Sequence, residues 1–191
     1  MNLFLMRIVP ALMFVLILQG CTSQAQDNAV IKEEVSSVFF DYLKAFSNSK
    51  FLEAAQFVHP DQLQEMREYT LPVLVEARKA SHNRDNPILR VVFEGVSDEE
   101  VHDLSGAEVS AGINRALATL TPGLIEATQR ENVTITEIQV SGENRATVKY
   151  ETVFRGSTKK SEQQLVKEEG TWYLILAVPP KQQADQLQTV F

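Results

Sequence analysis

The chain has one side chain suited to covalent chemistry through sulfur, the thiol of Cys21, which is its only cysteine. A lone cysteine cannot form a disulfide within the chain, and it cannot supply the several thiolates of a structural zinc site. Gly20 precedes it, and a polar run, residues 22–28, follows it. The chemistry open to Cys21 is therefore modification of the thiol itself.

The densest group of metal-ligand side chains lies at residues 99–103 and contains Glu99, Glu100, His102 and Asp103. Glu99 and Asp103 are one helical turn apart and could share a hard cation with neighbouring carbonyl oxygens. The sequence has no glycine-centred calcium loop, no H-E-x-x-H motif, no phosphate loop and no G-x-S-x-G motif. A solvated acidic helix start is therefore favoured, and no metal or cofactor is predicted.

His59 and Asp61 flank Pro60 and could form an acid–base couple. A carboxylate beside a buried imidazole can bring that ring to a useful base strength. Alternatively, His59 ends one helix and Asp61 lies in the first turn of the next, where its charge favours the helix dipole. Pro60 suits the first position of that second helix, and this structural interpretation is favoured.

The elements that would position these residues begin with an apolar N-terminal segment. Residues 8–18 are almost wholly apolar and follow one basic residue, Arg7. The run is shorter than the roughly 20 residues of a membrane-spanning helix. It has the form of a secretory signal peptide over residues 1–20.

This segment ends at Leu18-Gln19-Gly20-Cys21, a motif that resembles the bacterial lipobox. The resemblance implies removal of the signal peptide, lipidation of Cys21 (palmitate included), and a polar tether at 21–28. Gln19 departs from the usual small or β-branched residue. The resemblance also implies a place in the bacterial cell envelope, and Thr22 favours the periplasmic face of the outer membrane in a two-membrane bacterium. An ordinary secretory leader and an uncleaved anchor are the alternatives.

Composition and charge restrict the class of protein further. A chain of 191 residues, 44% hydrophobic and 23% charged, is ordinary for one globular domain. Arg7 is the only charged residue before Cys21, so the 18 basic and 25 acidic residues become 17 and 25 after cleavage, a formal charge of −8. This acidity argues against nucleic acid as a partner and against electrostatic adhesion to an anionic membrane. The membrane partner is therefore reached through the lipid.

The spacing of apolar residues predicts helices first. An amphipathic helix is expected over 30–46, a short one from Phe51, and a third from Pro60 that Pro72 kinks or ends. Residues 88–93 form a short apolar run that predicts a buried strand. Two capping boxes, Ser97 with Glu100 and Ser105 with Glu108, then predict a short helix and a longer one ending near 120.

The last third of the chain changes to a period of two, which predicts four strands. They are expected at 133–141, 146–154, 161–169 and 171–178, joined by hairpin turns into an antiparallel meander. Tyr150 shares a strand face with Val148 and Phe154, so its ring is expected to point inward, whereas Glu151 points the other way.

This order of helices followed by a curved antiparallel sheet resembles the NTF2-like (cystatin-like) fold, an α+β cone. Local cues are the amphipathic first helix, Phe57-Val58-His59-Pro60-Asp61, and the closing Glu169-Gly170-Thr171-Trp172-Tyr173-Leu174. The resemblance implies one domain over 29–180 and a C-terminal tail at 181–191. Phe-rich helices could line an apolar ligand site, for which the candidate residues are Phe39, Tyr42, Phe46 and Tyr69.

In NTF2-like enzymes a carboxylate or histidine base and a tyrosine donor lie at the mouth of the cone. The comparable candidates here are His59, Asp61 and Tyr150. The leading hypothesis is nevertheless a non-catalytic, lipid-anchored binding module for a small apolar ligand or a protein partner, or a homodimer through the sheet face. An isomerase or dehydratase and a structural envelope protein without a pocket are the alternatives.

Overall fold

The computed structural model describes residues 9–80, 86–189 and 191, with side chains described from Asp27 onward apart from the gaps. The α-helices in chain order are α1 Val9–Ser47, α2 Phe51–Ala55, α3 Pro60–Glu65, α4 Leu71–Lys79, α5 Pro87–Val92, α6 Gly106–Leu120, α7 Leu124–Ala127 and α8 Pro180–Gln188. The strands are β1 Val133–Val140, β2 Arg145–Phe154, β3 Ser157–Glu168 and β4 Thr171–Leu174. The predicted α+β class, with an antiparallel sheet after the helices, is confirmed.

Helix α1 carries the apolar stripe predicted over 30–46. Val35, Phe39 and Leu43 recur every four residues and are buried against the sheet. The segment 21–28, predicted as a tether, belongs to this helix, whose described part is Val9–Ser47. Residues 1–8 of the predicted signal peptide lie outside the described residues. Within the described part, none of the helices combines the length and apolar character needed to cross a bilayer.

The junction between α2 and α3 is tied to the sheet. Pro60 lies in the first turn of α3, as predicted, and His59 caps that helix. Val58 forms a parallel β-bridge with Leu174, whose carbonyl oxygen accepts the His59 N–H at 3.0 Å. These contacts place residues 57–59 beside the β4 edge of the sheet.

Pro72 changes the hydrogen-bond pattern of the third predicted helix in the turn before it. Proline has no N–H to donate, and its ring crowds the carbonyl four residues earlier. The chain forms a π-helical turn at Met66–Thr70, where the Leu71 N–H donates to the Met66 carbonyl oxygen five residues back. The helix then continues as α4, so Pro72 is accompanied by one wider, π-helical turn and does not end the helix.

The predicted strand at 88–93 is wrong, because the structure has helix α5 there. The side-chain oxygen of Asn86 accepts from the N–H groups of Ile88 and Leu89, at 2.9 and 3.4 Å, and Pro87 suits the first turn. A short apolar run does not distinguish a strand from a buried helix by periodicity. The N-cap asparagine and the packing of α5 on α6 decide for helix.

Both predicted capping boxes form. Ser105 Oγ accepts the Glu108 N–H at 3.3 Å, and Glu108 Oε2 accepts the Ser105 N–H at 2.7 Å. The bonds from Ser105 hold the pKa of Glu108 below its usual range. Ser97 and Glu100 make the same pair of contacts. They open only a short 3-10 helix, Glu100–Asp103, whereas Ser105 opens α6.

The four strands form one open antiparallel sheet in the order β1-β2-β3-β4. β3 begins at Ser157, earlier than the predicted 161, because Arg155 and Gly156 make a two-residue turn with φ of 49° and 78°. β4 ends at Leu174, before the predicted 178. β3 is therefore much longer than its β4 partner.

Alternation along the strands defines two faces. The inner face packs on α1 and contains Val133, Ile135, Ala146, Val148, Tyr150, Leu165, Trp172 and Leu174. The outer face contains Arg145, Thr147, Lys149, Glu151, Gln164, Val166, Glu168 and Tyr173. Outer-face side chains are exposed or half-buried, so in the described part of the chain this face is open to solvent.

Residues 181–191, predicted as a tail, largely form helix α8. Ala184 is buried, and the Thr70 hydroxyl, itself buried, donates to the Pro180 carbonyl oxygen at 3.3 Å. The apolar positions of α8 add to the helical core below it. The buried core side chains of the described residues lie between Val35 and Ala184. A chain that starts at Thr22 therefore contains all of these buried side chains.

Glu34 joins α1 to the turn between β3 and β4. Its Oε2 accepts from Lys167 Nζ at 2.7 Å and from Trp172 Nε1 at 2.9 Å. These two hydrogen bonds, that from Lys167 first, lower the pKa of Glu34. A carboxyl group with a lowered folded-state pKa stabilises the fold above its unfolded pKa, and the contribution disappears as pH falls through the folded value.

We expect Glu34→Gln to lower stability at pH 7 and to lose that effect in acid. The difference from wild type should shrink as pH falls below about 4.5, the unperturbed value. The emission of Trp172, the only tryptophan, reports unfolding in urea between pH 3 and 7. Glu33→Gln, an exposed neighbour, is the control. A Glu34→Gln deficit that stays constant across this range would contradict the prediction.

Candidate functional site

His59 caps helix α3 and has both ring nitrogens engaged. Its Nδ1 accepts the Asp61 N–H at 3.3 Å, and its Nε2 lies 3.2 Å from Glu168 Oε2. The ring is only 13% exposed and meets the Tyr173 ring edge-on, with centroids 5.7 Å apart. In this arrangement Nδ1 is the acceptor and Nε2 faces a carboxylate that can accept from it. The imidazole therefore has no ring nitrogen left to act as a base.

Asp61 contacts His59 through its backbone amide, so the contact is a helix cap. Its side chain lies exposed in the first turn of α3, where a negative charge favours the helix dipole. This is the structural arrangement that the sequence favours for the pair. A carboxylate–imidazole couple would need the carboxylate at a ring nitrogen, and Glu168 occupies that place instead.

Tyr150 lies on the inner face, on the other side of the sheet from His59. Its ring packs on Phe39, with centroids 4.9 Å apart. Burial raises the pKa of Tyr150, and a hydrogen bond with Ser161 opposes that shift. His59 contacts Glu168 and Tyr173, which are outer-face residues by strand register. The structure therefore does not bring His59, Asp61 and Tyr150 together.

The four candidate residues for an apolar ligand do not form one site either. Phe39 and Phe46 are 1% and 6% exposed and fill the core, and Tyr42 packs 6.1 Å from Phe46 between ring centroids. Burial, with Tyr150 nearby, raises the pKa of Tyr42 to about 12. Tyr69 is 42% exposed on the π-helical turn. Phe39 and Phe46 therefore belong to the buried aromatic group of the core, the half-buried Tyr42 packs beside them, and Tyr69 stands apart.

The acidic group at residues 99–103 is engaged locally. Glu100 Oε2 accepts from the Ser97 hydroxyl at 2.8 Å and from its N–H at 3.2 Å. Among the described residues, no three or more His, Cys, Asp and Glu side chains are placed to hold a metal ion. The group therefore belongs to the start of the 3-10 helix.

A groove on the outer face is one candidate ligand cavity. It has a volume of about 570 Å³ and extends from the turn between β1 and β2 to His59. Its polar side chains are Ser141, Arg145, Thr147, Gln164 and His59, and its apolar ones include Val166 and Ile175. Ligand sites of proteins commonly have volumes of this order, with a few polar groups on an apolar base.

Strand register explains how these side chains meet. Arg145 is paired with Val166, and Val166 with Tyr173, so one row crosses three strands of the outer face. Thr147 and Gln164 form the neighbouring row. Ser141 closes one end, since its N–H donates to the Arg145 carbonyl oxygen at 2.8 Å. His59 closes the other end because residues 57–59 lie beside β4.

The sequence alone does not single out the groove residues. They come from β2, β3, the β1–β2 turn, the residue after β4 and the residue before α3, and each has an ordinary residue type for its position. The one usable signal is that Thr147 and Arg145 alternate with the inward Ala146 and Val148. Only strand pairing assembles the set.

A second cavity, of about 370 Å³, lies between α4 and α8. It is mostly apolar, and Val73, Ala77 and Phe191 are among its walls. Ala80, also in the wall, is the last residue before the segment 81–85, which lies outside the described residues. The outer-face groove is bounded by described residues throughout and is therefore taken as the candidate site.

The chain matches no protein-family model, no curated protein and no solved structure. Its functional interpretation therefore depends on the groove, the buried aromatic group and the motif around Cys21.

Proposed function

We propose that this chain is the precursor of a bacterial envelope lipoprotein whose mature domain is a non-catalytic binding module of the NTF2-like type. The observation that carries the binding assignment is the outer-face groove of about 570 Å³, in which polar side chains border an apolar base. One-sided packing of the helices on a four-stranded meander supports the NTF2-like assignment.

The geometry favours binding over catalysis. A general base must reach a substrate proton with a free lone pair. Both nitrogens of His59 are used inside the protein, and Tyr150 lies across the sheet among aromatic side chains. The inner space that an NTF2-like enzyme uses for its substrate is filled here by Phe39, Leu165 and Leu174.

The anchoring assignment is supported by Cys21 and by charge. The motif Leu18-Gln19-Gly20-Cys21 follows an apolar run too short to span a bilayer. An acidic domain is repelled by anionic lipid, so lipid on Cys21 would have to provide the attachment. Thr22, directly after the motif, favours the periplasmic face of the outer membrane in a two-membrane bacterium.

We expect Cys21→Ser to abolish both acylation and membrane retention. The thiol is the acceptor of the lipid in the motif, and a hydroxyl does not replace it. The measurement is radiolabelled palmitate incorporation together with membrane and soluble fractionation of the expressed chain. Ser23→Ala, two residues later, is the matched control and should behave as wild type. Normal processing and retention of Cys21→Ser would overturn the anchoring assignment.

For the groove, we expect Thr147→Trp to remove bound ligand and Val153→Trp to retain it. Both residues point outward from β2, but only Thr147 lines the groove, whereas Val153 is 47% exposed outside it. The measurement is native mass spectrometry of the chain from Thr22 onward, purified from the envelope compartment. A ligand or dimer mass lost only in Thr147→Trp supports the proposal. A wild-type chain with no bound mass, or equal behaviour of the two variants, contradicts it.

A further inference from the structure

Arg145 lines the groove, and no carboxylate of the described residues neutralises its charge. Its guanidinium is exposed and forms no ion pair or hydrogen bond among the described residues. Other cations of the outer face are paired: Lys149 lies 2.9 Å from Glu137, and Lys160 lies 3.5 Å from Glu151. The five N–H donors of Arg145 are therefore available to an acceptor from outside the chain.

The groove around Arg145 combines hydrogen-bond donors, mostly on β2 and the β1–β2 turn, with apolar side chains on β3 and after β4. Ser141, Thr147 and Gln164 also line the groove, and their hydroxyl and amide groups are further hydrogen-bond donors. Val166 and Ile175 continue the groove toward β4 as apolar surface. A carboxylate or phosphate fits the donors, because arginine binds such groups through paired hydrogen bonds. A hydrocarbon chain fits the apolar side chains.

Glu168 is an acidic side chain beside the groove, and it forms no ion pair with Arg145 among the described residues. Glu168 is held by His59, with 3.2 Å between Nε2 and Oε2. Strand register places Glu168 opposite Thr171, one row beyond Tyr173, while Arg145 is opposite Val166. Arg145, Val166 and Tyr173 share a row, so Glu168 lies one row from Arg145, and His59 rather than Arg145 holds its carboxylate.

The groove also lies at the end of the sheet that the anchor reaches. Glu34 contacts Lys167 and Trp172, next to the row that contains Arg145 and Val166. Cys21 and Glu34 belong to one continuous helix, which separates them by about 20 Å at 1.5 Å per residue. A domain anchored at Cys21 would thus present the groove within reach of membrane amphiphiles.

We infer that the groove binds an anionic amphiphile, whose carboxylate or phosphate head is held by Arg145 and whose hydrocarbon chain lies over Val166 and Ile175. This inference rests on the proposed binding function of the groove and names its ligand class. Fatty acids and single-chain phospholipids share this chemistry.

The test uses three probes with the same chain length: dodecyl phosphate, dodecanoate and dodecyltrimethylammonium. Each is titrated below its micelle concentration into the chain from Thr22 onward, and affinity is measured by calorimetry. The two anionic probes should bind at least about tenfold more tightly than the cationic one. The cationic head has no acceptor for Arg145, so the charge-assisted hydrogen bond cannot form. Preference between phosphate and carboxylate distinguishes the two ligand sources. Equal binding of all three probes would overturn the inference.

Arg145→Gln removes the charge and should weaken binding of the anionic probes about tenfold or more. Arg155→Gln is the matched control, since Arg155 is an exposed cation at the β2–β3 turn, outside the groove, with its guanidinium 4.9 Å from the Phe154 ring centroid. Circular dichroism verifies that both variants fold. Unchanged affinity in Arg145→Gln contradicts a role for this side chain in binding the head.

Inorganic phosphate and Val166→Ser test the apolar part. Inorganic phosphate should bind at least about tenfold more weakly than dodecyl phosphate, and Val166→Ser should weaken only the dodecyl probes. If inorganic phosphate binds equally well, the ligand is not an amphiphile. A co-purified ligand that is lost in Thr147→Trp but unaffected by Arg145→Gln would refute the ligand class while leaving the proposed function intact. Loss of neither would refute both.

Discussion

Replacing Gly106 with alanine is expected to destabilise the folded domain by about 3 kcal/mol or more. Gly106 is the buried first residue of α6, where α6 meets α3. A Cβ atom at this position would collide with the backbone carbonyl group of Leu63. A backbone carbonyl in a helix cannot rotate away as a side chain can, so the two helices would have to separate.

Urea unfolding followed through Trp172 emission measures this loss. Gly142→Ala is the control, because Gly142 has a φ of 70° but open space around its Cβ position. Gly142→Ala should lower the free energy of unfolding by only about 1 kcal/mol, because alanine is strained at a positive φ. Similar losses in both variants would show that backbone conformation, and not the approach of α6 to α3, determines the need for glycine.

The second large effect is expected for Phe39→Ala, at about 3–5 kcal/mol. Phe39 is 1% exposed and lies between α1 and the inner face of the sheet, against Tyr150 and Phe40. Removing the ring leaves a cavity that the rigid sheet cannot close, and it also removes the aromatic contact with Tyr150. The same unfolding measurement applies.

Phe40→Ala is the matched comparison, since it deletes an identical ring from the next residue. Phe40 is half-buried, and the Arg130 guanidinium lies 3.7 Å from its ring centroid. Phe40→Ala should lower the free energy of unfolding by about 1–2 kcal/mol, because it removes a partly buried ring and a cation–π contact. A larger loss in Phe40→Ala than in Phe39→Ala would refute the assignment of Phe39 as the centre of the sheet core.

Local signals predicted many of the elements. The Ser105–Glu108 capping box acts within four residues, and it starts α6 where the sequence places it. Pro60 and Pro72 act through the missing N–H and fixed φ of proline, which are properties of the residue itself. Alternation predicted the β meander for the same reason, because a half-buried strand shows its two faces in its own sequence.

The prediction at 88–93 failed because the signal there is ambiguous. A segment of six residues that is apolar except for Arg90 fits a buried strand or two helical turns equally well. Asn86 caps the segment locally, yet burial of Leu89 and Val92 against α6 provides the stabilisation that favours helix. Residues 181–191 show the converse case, in which a polar segment becomes a helix by docking on α4 and the π-helical turn.

The site residues also divide into features that local sequence determines and relations that only the tertiary structure creates. The sequence by itself determined the lone thiol and its motif, the acidic charge, the helix starts and the strand faces, because each depends on residue type or on neighbours within a few positions. Only the tertiary structure decided that His59 and Tyr150 lie on opposite faces, and that Arg145 shares a groove with Gln164 and His59. Those relations depend on strand pairing and on the docking of residues 57–59 beside β4, and pairing over long sequence separations leaves no local pattern in the chain.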